Sequence, residues 1–232
     1  MKDKEIDEML MAAQAPHSLG AETLGPVTES IKASLRPVRP VPPKWILTGG
    51  LILICTAVAL AGAARAGFSG IERMNPWEHG LVFSVLGILV VIAAMEFVNS
   101  MIPGSRHRFS AGAIVAIDSI ALIGVFALSF RDYQISHFIS AGLACLLTGV
   151  LHAIPAGLLS WLFLRRGFAV NAVSAGLAAG TFAGLAGVGV LELHCTNFET
   201  AHLLVWHTAV IPLSAGAGAL VAWGLGLLRQ SK

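Results

Sequence analysis

The sequence predicts an all-α, polytopic membrane protein with six transmembrane helices and both termini on the cytoplasmic side. Three observations carry that expectation. Hydrophobic residues make up 56% of the 232 and charged residues only 12%, against roughly 25% charge in an ordinary globular domain. Six apolar runs are long enough to cross the ~30 Å hydrocarbon core as helix, which takes about 20 residues. Lysine and arginine are also divided very unevenly among the segments between those runs.

The runs are Trp45–Ala64, Leu81–Ile102, Ala111–Phe130, Phe138–Leu164, Val170–Leu193 and Leu203–Leu228. In lipid only helices and closed barrels satisfy their own backbone, and runs this long and continuous mean helices. A long polar, partly acidic segment precedes the first run, unlike a secretory signal. With the N-terminus inside, twelve of the fifteen basic residues fall in cytoplasmic segments, among them Lys32, Arg36, Arg106, Arg108, Arg165 and Arg166. Only Arg65, Arg73 and Arg131 fall outside. A net charge of +2 without a basic block argues against direct nucleic-acid binding. Three cysteines without CxxC spacing are too few for a disulfide scaffold.

Residues 1–44 read as a separate cytoplasmic tail and residues 45–232 as the bundle. In DKEIDEMLMAAQA, the residues Ile6, Met9, Leu10 and Ala13 share one helical face. A second short helix is expected to begin near Pro26, which suits a first turn, with Val27, Ile31 and Leu35 on one side. The run RPVRPVPP then favours an extended spacer. Neither helix is long enough to be stable alone in water, so the pair reads as a segment that orders against a protein partner. An anchor on the membrane surface is the weaker reading, because the first helix is acidic and anionic lipid would repel it.

Within the bundle, the fifth run carries Gly176, Gly180 and Gly184 in a double GxxxG. Close backbone contact drives helix association in lipid, so these read as packing residues, either inside one bundle or in a homodimer. Glu96 and Asp118 lie about seven residues from the cytoplasmic ends of the second and third helices. Acids inside a span are functional candidates by default. A proton or cation path is the sharp interpretation. A buried interhelical hydrogen bond, or a shallow cavity near Arg106 and Arg108, is the plainer one.

The chemistry concentrates in LELHCTNFETAHLLVWH, Leu191 to His207, where three histidines, one cysteine and two glutamates occupy seventeen residues. His202 and His207 are five apart and diverge by about 140° on a straight α-helix. A four-ligand metal site from this stretch alone is therefore awkward, and its spacing is not that of a zinc finger. Cys145, about eight residues from the outer end of the fourth run, is the natural supplier of a further ligand. That run of 27 residues measures ~40 Å as helix, so it tilts or protrudes and can bring Cys145 toward Cys195. Bonding needs Cα atoms within about 7 Å, and an oxidising outer compartment favours it. His194, Glu192 and Glu199 are further candidates as ligands or as their supports, for a soft or borderline ion such as zinc, cadmium or copper. His152 lies deeper and is at least as readily an interior histidine with its own partner. Cys55, in the first run, reads as a small hydrophobe.

With Cys145, LRRG at Leu164–Gly167, the glycine-rich fifth run and LELHCTNFETAHLLVWH in one order, the chain resembles the NrsF family. Its members are multi-pass membrane anti-sigma factors of the bacterial inner membrane, named as negative regulators of sigma F. The resemblance implies a non-enzymatic regulator that holds an extracytoplasmic-function sigma factor at the cytoplasmic face. It also implies that Cys145 and Cys195 serve a response to metal or oxidative stress. This chain departs from the pattern in its longer, proline-punctuated tail and in His207, where the pattern has a tyrosine. Two other classes remain beside this reading. A small metal or proton transporter would use Glu96, Asp118 and His152. A haem-binding membrane redox protein would use His152, His202 or His207 as axial ligands. No CxxCH, phosphate-binding loop, dinucleotide fingerprint or hydrolase motif appears in the sequence.

Overall fold

The computed structural model describes residues 21–34, 41–135, 137–164 and 169–230. The chain divides into two units, Met1–Pro40 and Val41–Lys232. In the first, α1 spans Ala21–Ser34. It starts five residues before the expected Pro26, which therefore lies inside the helix rather than in its first turn. The missing proline N–H leaves one carbonyl of the preceding turn without its helical donor. Ile31 is 55% exposed, and Lys32 pairs with Glu29 at 2.9 Å. Ile6, Met9, Leu10 and Leu35 lie outside the described residues, as do Arg165 and Arg166 and the side chain of Val27.

The second unit contains six helices long and apolar enough to span a membrane. They are α2 (Lys44–Ala66), α3 (Pro76–Ser100), α4 (Ala111–Ser129), α5 (Phe138–Leu164), α6 (Ala172–His194) and a last helix in three pieces. Those pieces are α7 (Thr200–His202), a π turn (Leu203–His207) and α8 (Thr208–Gln230), running without a break. No strand occurs among the described residues, only an isolated bridge from Asp132 to Glu199. The helix limits fall within a few residues of the apolar runs. The largest difference is α3, which begins at Pro76 rather than Leu81. There Asn75 accepts from the Glu78 N–H, the Glu78 carboxylate accepts from the Asn75 N–H, and Pro76 fills the first position. Such a capping box starts a helix regardless of hydropathy, so Trp77, Glu78 and His79 are helical despite interrupting the greasy run.

Helix α6 is the centre of the bundle. Its spanning stretch is 72% buried, against 22–50% for the other five. Glycine explains how one helix can touch so many others. A Cβ on Gly176 would collide with the Gly218 carbonyl, and one on Gly180 with that of Ser214. A Cβ on Gly184 would stand 3.0 Å from Ile211 Cα, and one on Gly187 would meet the Gly149 carbonyl. The first three glycines thus lie against α8 within one chain, and Gly187 lies against α5. Side chains elsewhere on α5 and α8, including Leu147, Leu158, Leu220 and Val221, point outward and are exposed. Trp45, Trp161 and Trp223 sit toward one end of the bundle and Trp77 at the other. Aromatic side chains favour the two membrane–water boundaries.

At the end where α2 begins and α8 finishes, Lys44 Nζ donates to Asn99 Oδ1 at 2.9 Å. There the Glu96 carboxylate accepts from the Arg108 N–H at 3.2 Å and lies 3.4 Å from His107 Nδ1. This carboxylate borders a cavity of about 370 Å³ that is also lined by Ser100, His107, Arg108 and Ser174. Asp118 is fully buried, and its two carboxyl oxygens have no hydrogen-bond partner.

Replacing Gly180 with alanine drives a Cβ into the Ser214 backbone and should destabilise the bundle by about 1–3 kcal/mol. Gly216 has nothing within 4 Å of an added Cβ, so Gly216→Ala is the matched control. Thermal unfolding in detergent should show a lowered midpoint for the first and an unchanged one for the second.

Candidate thiol and imidazole site

The opposite end of the bundle is built around the terminus of α6. Ser69 Oγ donates to the His194 carbonyl at 3.0 Å, and the Gly70 N–H donates to the Leu193 carbonyl at 3.1 Å. A Cβ on Gly70 would stand 2.7 Å from the Cys195 carbonyl, so glycine is required where this loop crosses. On the other side, Thr200 Oγ1 donates to the Phe130 carbonyl at 2.9 Å. These bonds hold the segment from Cys195 to Thr200 between the α2–α3 loop and the end of α4.

Cys195 caps α6, its N–H donating to the Leu191 carbonyl at 2.7 Å. Cys145 reaches it from α5, with the two Sγ atoms 3.4 Å apart and no bond between them. The approach follows from the Gly149–Gly187 contact one turn further along α5, where the two backbones touch. Cys195 Sγ also lies 3.8 Å from His202 Nε2 and 3.8 Å from the Asn197 carbonyl. Its thiol is held above the ordinary pKa, first by the contact with Cys145 and then by burial, with His202 and His207 acting in the opposite direction.

His202 and His207 meet because the helix between them is not α. Over Leu203–His207 it widens into a π turn, and the Thr208 N–H donates to the carbonyl five residues back, at Leu203. A π turn returns to the same face after about five residues, which corrects the divergence expected of a straight α-helix. The two rings stand 5.2 Å apart, edge to face, and both residues are fully buried. Cys145, Cys195, His202 and His207 each present one ligand atom, and those four atoms lie within 4.8 Å of one another.

Glu192 lies beneath this group. Its Oε1 is 2.6 Å from His207 Nδ1, and both side chains are completely buried. Isolated, a carboxylate in such a place would be strongly unfavourable, so the imidazole is the partner that allows it. Phe126 closes the far side of the His207 ring, edge to face at 6.3 Å.

The other candidates lie elsewhere. His194 Nδ1 is 3.2 Å from the Gly67 carbonyl, on the loop side. His152 Nδ1 is 2.8 Å from the Thr148 carbonyl, and its ring lies over Gly62 of α2. Glu199 shares the bridge with Asp132. None of these three belongs to the four-residue group. Asn197 and Phe126 border the site without any mark in the sequence pattern. Cys55 is buried in α2, apart from the group.

Six helices long and apolar enough to cross a membrane, a thiol and imidazole cluster at one end and no strand among the described residues together define an all-helical protein of the kind a membrane accommodates. The family model described as NrsF, negative regulator of sigma F, matches residues 32–229. The chain therefore belongs to the NrsF family, and the family description makes it a negative regulator whose partner is a sigma factor. Comparison with curated proteins and with solved structures gave no match.

Mild catalysed oxidation of membranes holding the full chain should join Cys145 to Cys195 with the loss of two hydrogen masses. Cys55 should remain free to alkylation. A peptide map linking Cys55 to either of the others would contradict this arrangement.

Proposed function

We propose that the protein is a membrane-embedded anti-sigma factor of the bacterial inner membrane, with both termini cytoplasmic. Its tail sequesters an extracytoplasmic-function sigma factor. A metal or redox change at the Cys145–Cys195 cluster, on the outer side, releases that factor. The observation that carries this reading is the 3.4 Å approach of two thiols against two buried histidines, in a chain of a family of negative regulators. The uneven division of lysine and arginine along the sequence supports the orientation.

The contact candidates are Ile6, Met9, Leu10, Val27, Ile31 and Leu35. Apolar side chains at helical spacing suit a groove on a folded partner. Gly176, Gly180 and Gly184 serve packing inside the chain, where an added Cβ would meet the backbone of the last helix. Glu96 serves as an acceptor for the α3–α4 loop, where it meets the Arg108 N–H. No nucleic acid is contacted directly; transcription changes through the free sigma factor.

Release needs two arrangements of the bundle that differ in affinity for the partner. Closing the sulfurs from 3.4 Å to the ~2.05 Å of a disulfide moves atoms by more than an ångström at the end of α6, and α6 is packed against the other helices. Two routes reach the same element. Disulfide formation removes two electrons and two protons, with an oxidant of the outer compartment taking them up. Metal binding or exchange redraws the ligand geometry without oxidation.

Capture of the co-expressed sigma factor by full-length protein in membranes tests the first half. A chain lacking residues 1–40 should lose capture, and retention of it would remove the tail from the account. For the second half, Cys145→Ser and Cys195→Ser should each abolish release by metal or oxidant in a reporter strain. An undiminished response in either variant would reject the switch.

A further inference from the structure

The proposed function leaves open what the cluster holds at rest, and the geometry narrows it. We propose that Cys145, Cys195, His202 and His207 form one tetrahedral site for a divalent ion of the zinc class, with Glu192 as the positioning residue for His207. The inference rests on the sensor reading above and deepens it by naming the ligand and the residues that hold it.

Three observations carry the proposal. The first is distance. Two thiolates on one zinc ion stand about 3.8 Å apart, from a metal–sulfur length of about 2.3 Å in tetrahedral geometry. The sulfurs here are 3.4 Å apart, much nearer to that value than to the ~2.05 Å of a disulfide. All four donor atoms lie within 4.8 Å of one another, so modest side-chain movement gathers them around one ion.

The second is the histidine pair. With Nδ1 engaged by Glu192, the nitrogen left for a metal on His207 is Nε2, which is buried and without a hydrogen-bond partner. A buried polar atom left unsatisfied is destabilising, and a metal bond removes that cost. His202 already turns Nε2 toward Cys195. The π turn is what aligns the two rings, and such turns are frequent at functional sites.

The third is the carboxylate. A ligating histidine usually donates its other N–H to a carboxylate or carbonyl, which fixes the tautomer and aims the ring. Glu192 at 2.6 Å, fully buried, has that relation to His207. Chemical class follows from the donors. Two sulfurs and two imidazoles in a tetrahedron select zinc and softer thiophilic ions, whereas calcium and magnesium require six or more oxygens. Binding releases the two thiol protons, and the two thiolates cancel the ion's charge in an apolar surrounding. Cadmium, being softer, competes for the same sulfurs.

The test uses full-length protein in detergent under reducing conditions, with Co²⁺ as the probe ion. One Co²⁺ per chain is expected, with thiolate-to-cobalt charge-transfer bands and the ligand-field bands of a tetrahedral ion, both bleached by Zn²⁺. Cys145→Ser and Cys195→Ser should each weaken the charge-transfer band, and Cys55→Ser should leave the spectrum unchanged. His207→Gln should lose the tetrahedral signature while the sulfur band persists. Glu192→Gln, nearly identical in shape, should keep the bands and bind about 10–100-fold more weakly. Absence of binding, or unchanged affinity in both His207→Gln and Glu192→Gln, overturns the site. A chain that binds no metal yet still releases sigma factor on oxidation would sink this inference and leave the switch standing. Metal binding with no sigma-factor response would do the reverse.

Discussion

Everything at the site depends on α6 having almost no side chains on two of its faces. In lipid, apolar helices gain little from burying grease against grease, so they associate where backbones can come close. Gly176, Gly180 and Gly184 allow this toward α8, and Gly187 allows it toward α5. Cys195 sits at the end of that helix, and the partners that surround it are the same α5 and last helix. A side chain at Gly187 would push α5 away by the width of a methyl group or more and take Cys145 out of reach.

The second constraint is the helix start at Thr200. A regular α-helix there would point His202 and His207 to different sides and leave one of them in the apolar interior alone. The π turn rotates the later part of the helix so that His207 faces Glu192 and the thiols together. Such a turn gives up some regular hydrogen bonding, and the interactions around both rings offset that cost. Glu192 then has a partner and His207 has an orientation, while Phe126 covers the ring from α4. Four helices (α4, α5, α6 and the last) and a capping residue thus contribute to one small volume.

Much of the fold was legible in the sequence, since hydropathy alone locates spans and the helix limits moved by only a few residues. Where they moved, short-range chemistry decided. Asn75, Pro76 and Glu78 start α3 early through a capping box that an apolar-run reading passes over. The nearness of Cys145 and Cys195 was legible as a possibility, because one long helix and one loop could bring them together. The alignment of His202 with His207 was not. A spacing of five is a misfit for 3.6 residues per turn, and only knowledge of the local π geometry turns it into a match. Glu192 as the partner of His207 was equally hidden, since the two belong to different helices and nothing in their separation of fifteen residues sets a register.

The other acids illustrate a different limit. Glu96 meets a loop N–H and borders a cavity at the end of the bundle, while Asp118 is buried without a hydrogen-bond partner. Identical chemistry at similar sequence depth therefore has two environments, set by which way each helix is rotated. Periodicity in a helix that is apolar all round does not encode that rotation.

In the proposed mechanism, chemistry at the thiols changes the affinity of the tail for its sigma factor. The direct test is the dissociation constant of the sigma factor for full-length protein in nanodiscs, with the cluster in its resting reduced state and then oxidised or loaded with cadmium. The claim predicts weaker binding in the second state by at least about fivefold, the lower range of ordinary coupling between sites. Equal affinity in both states would show that the cluster and the partner do not communicate.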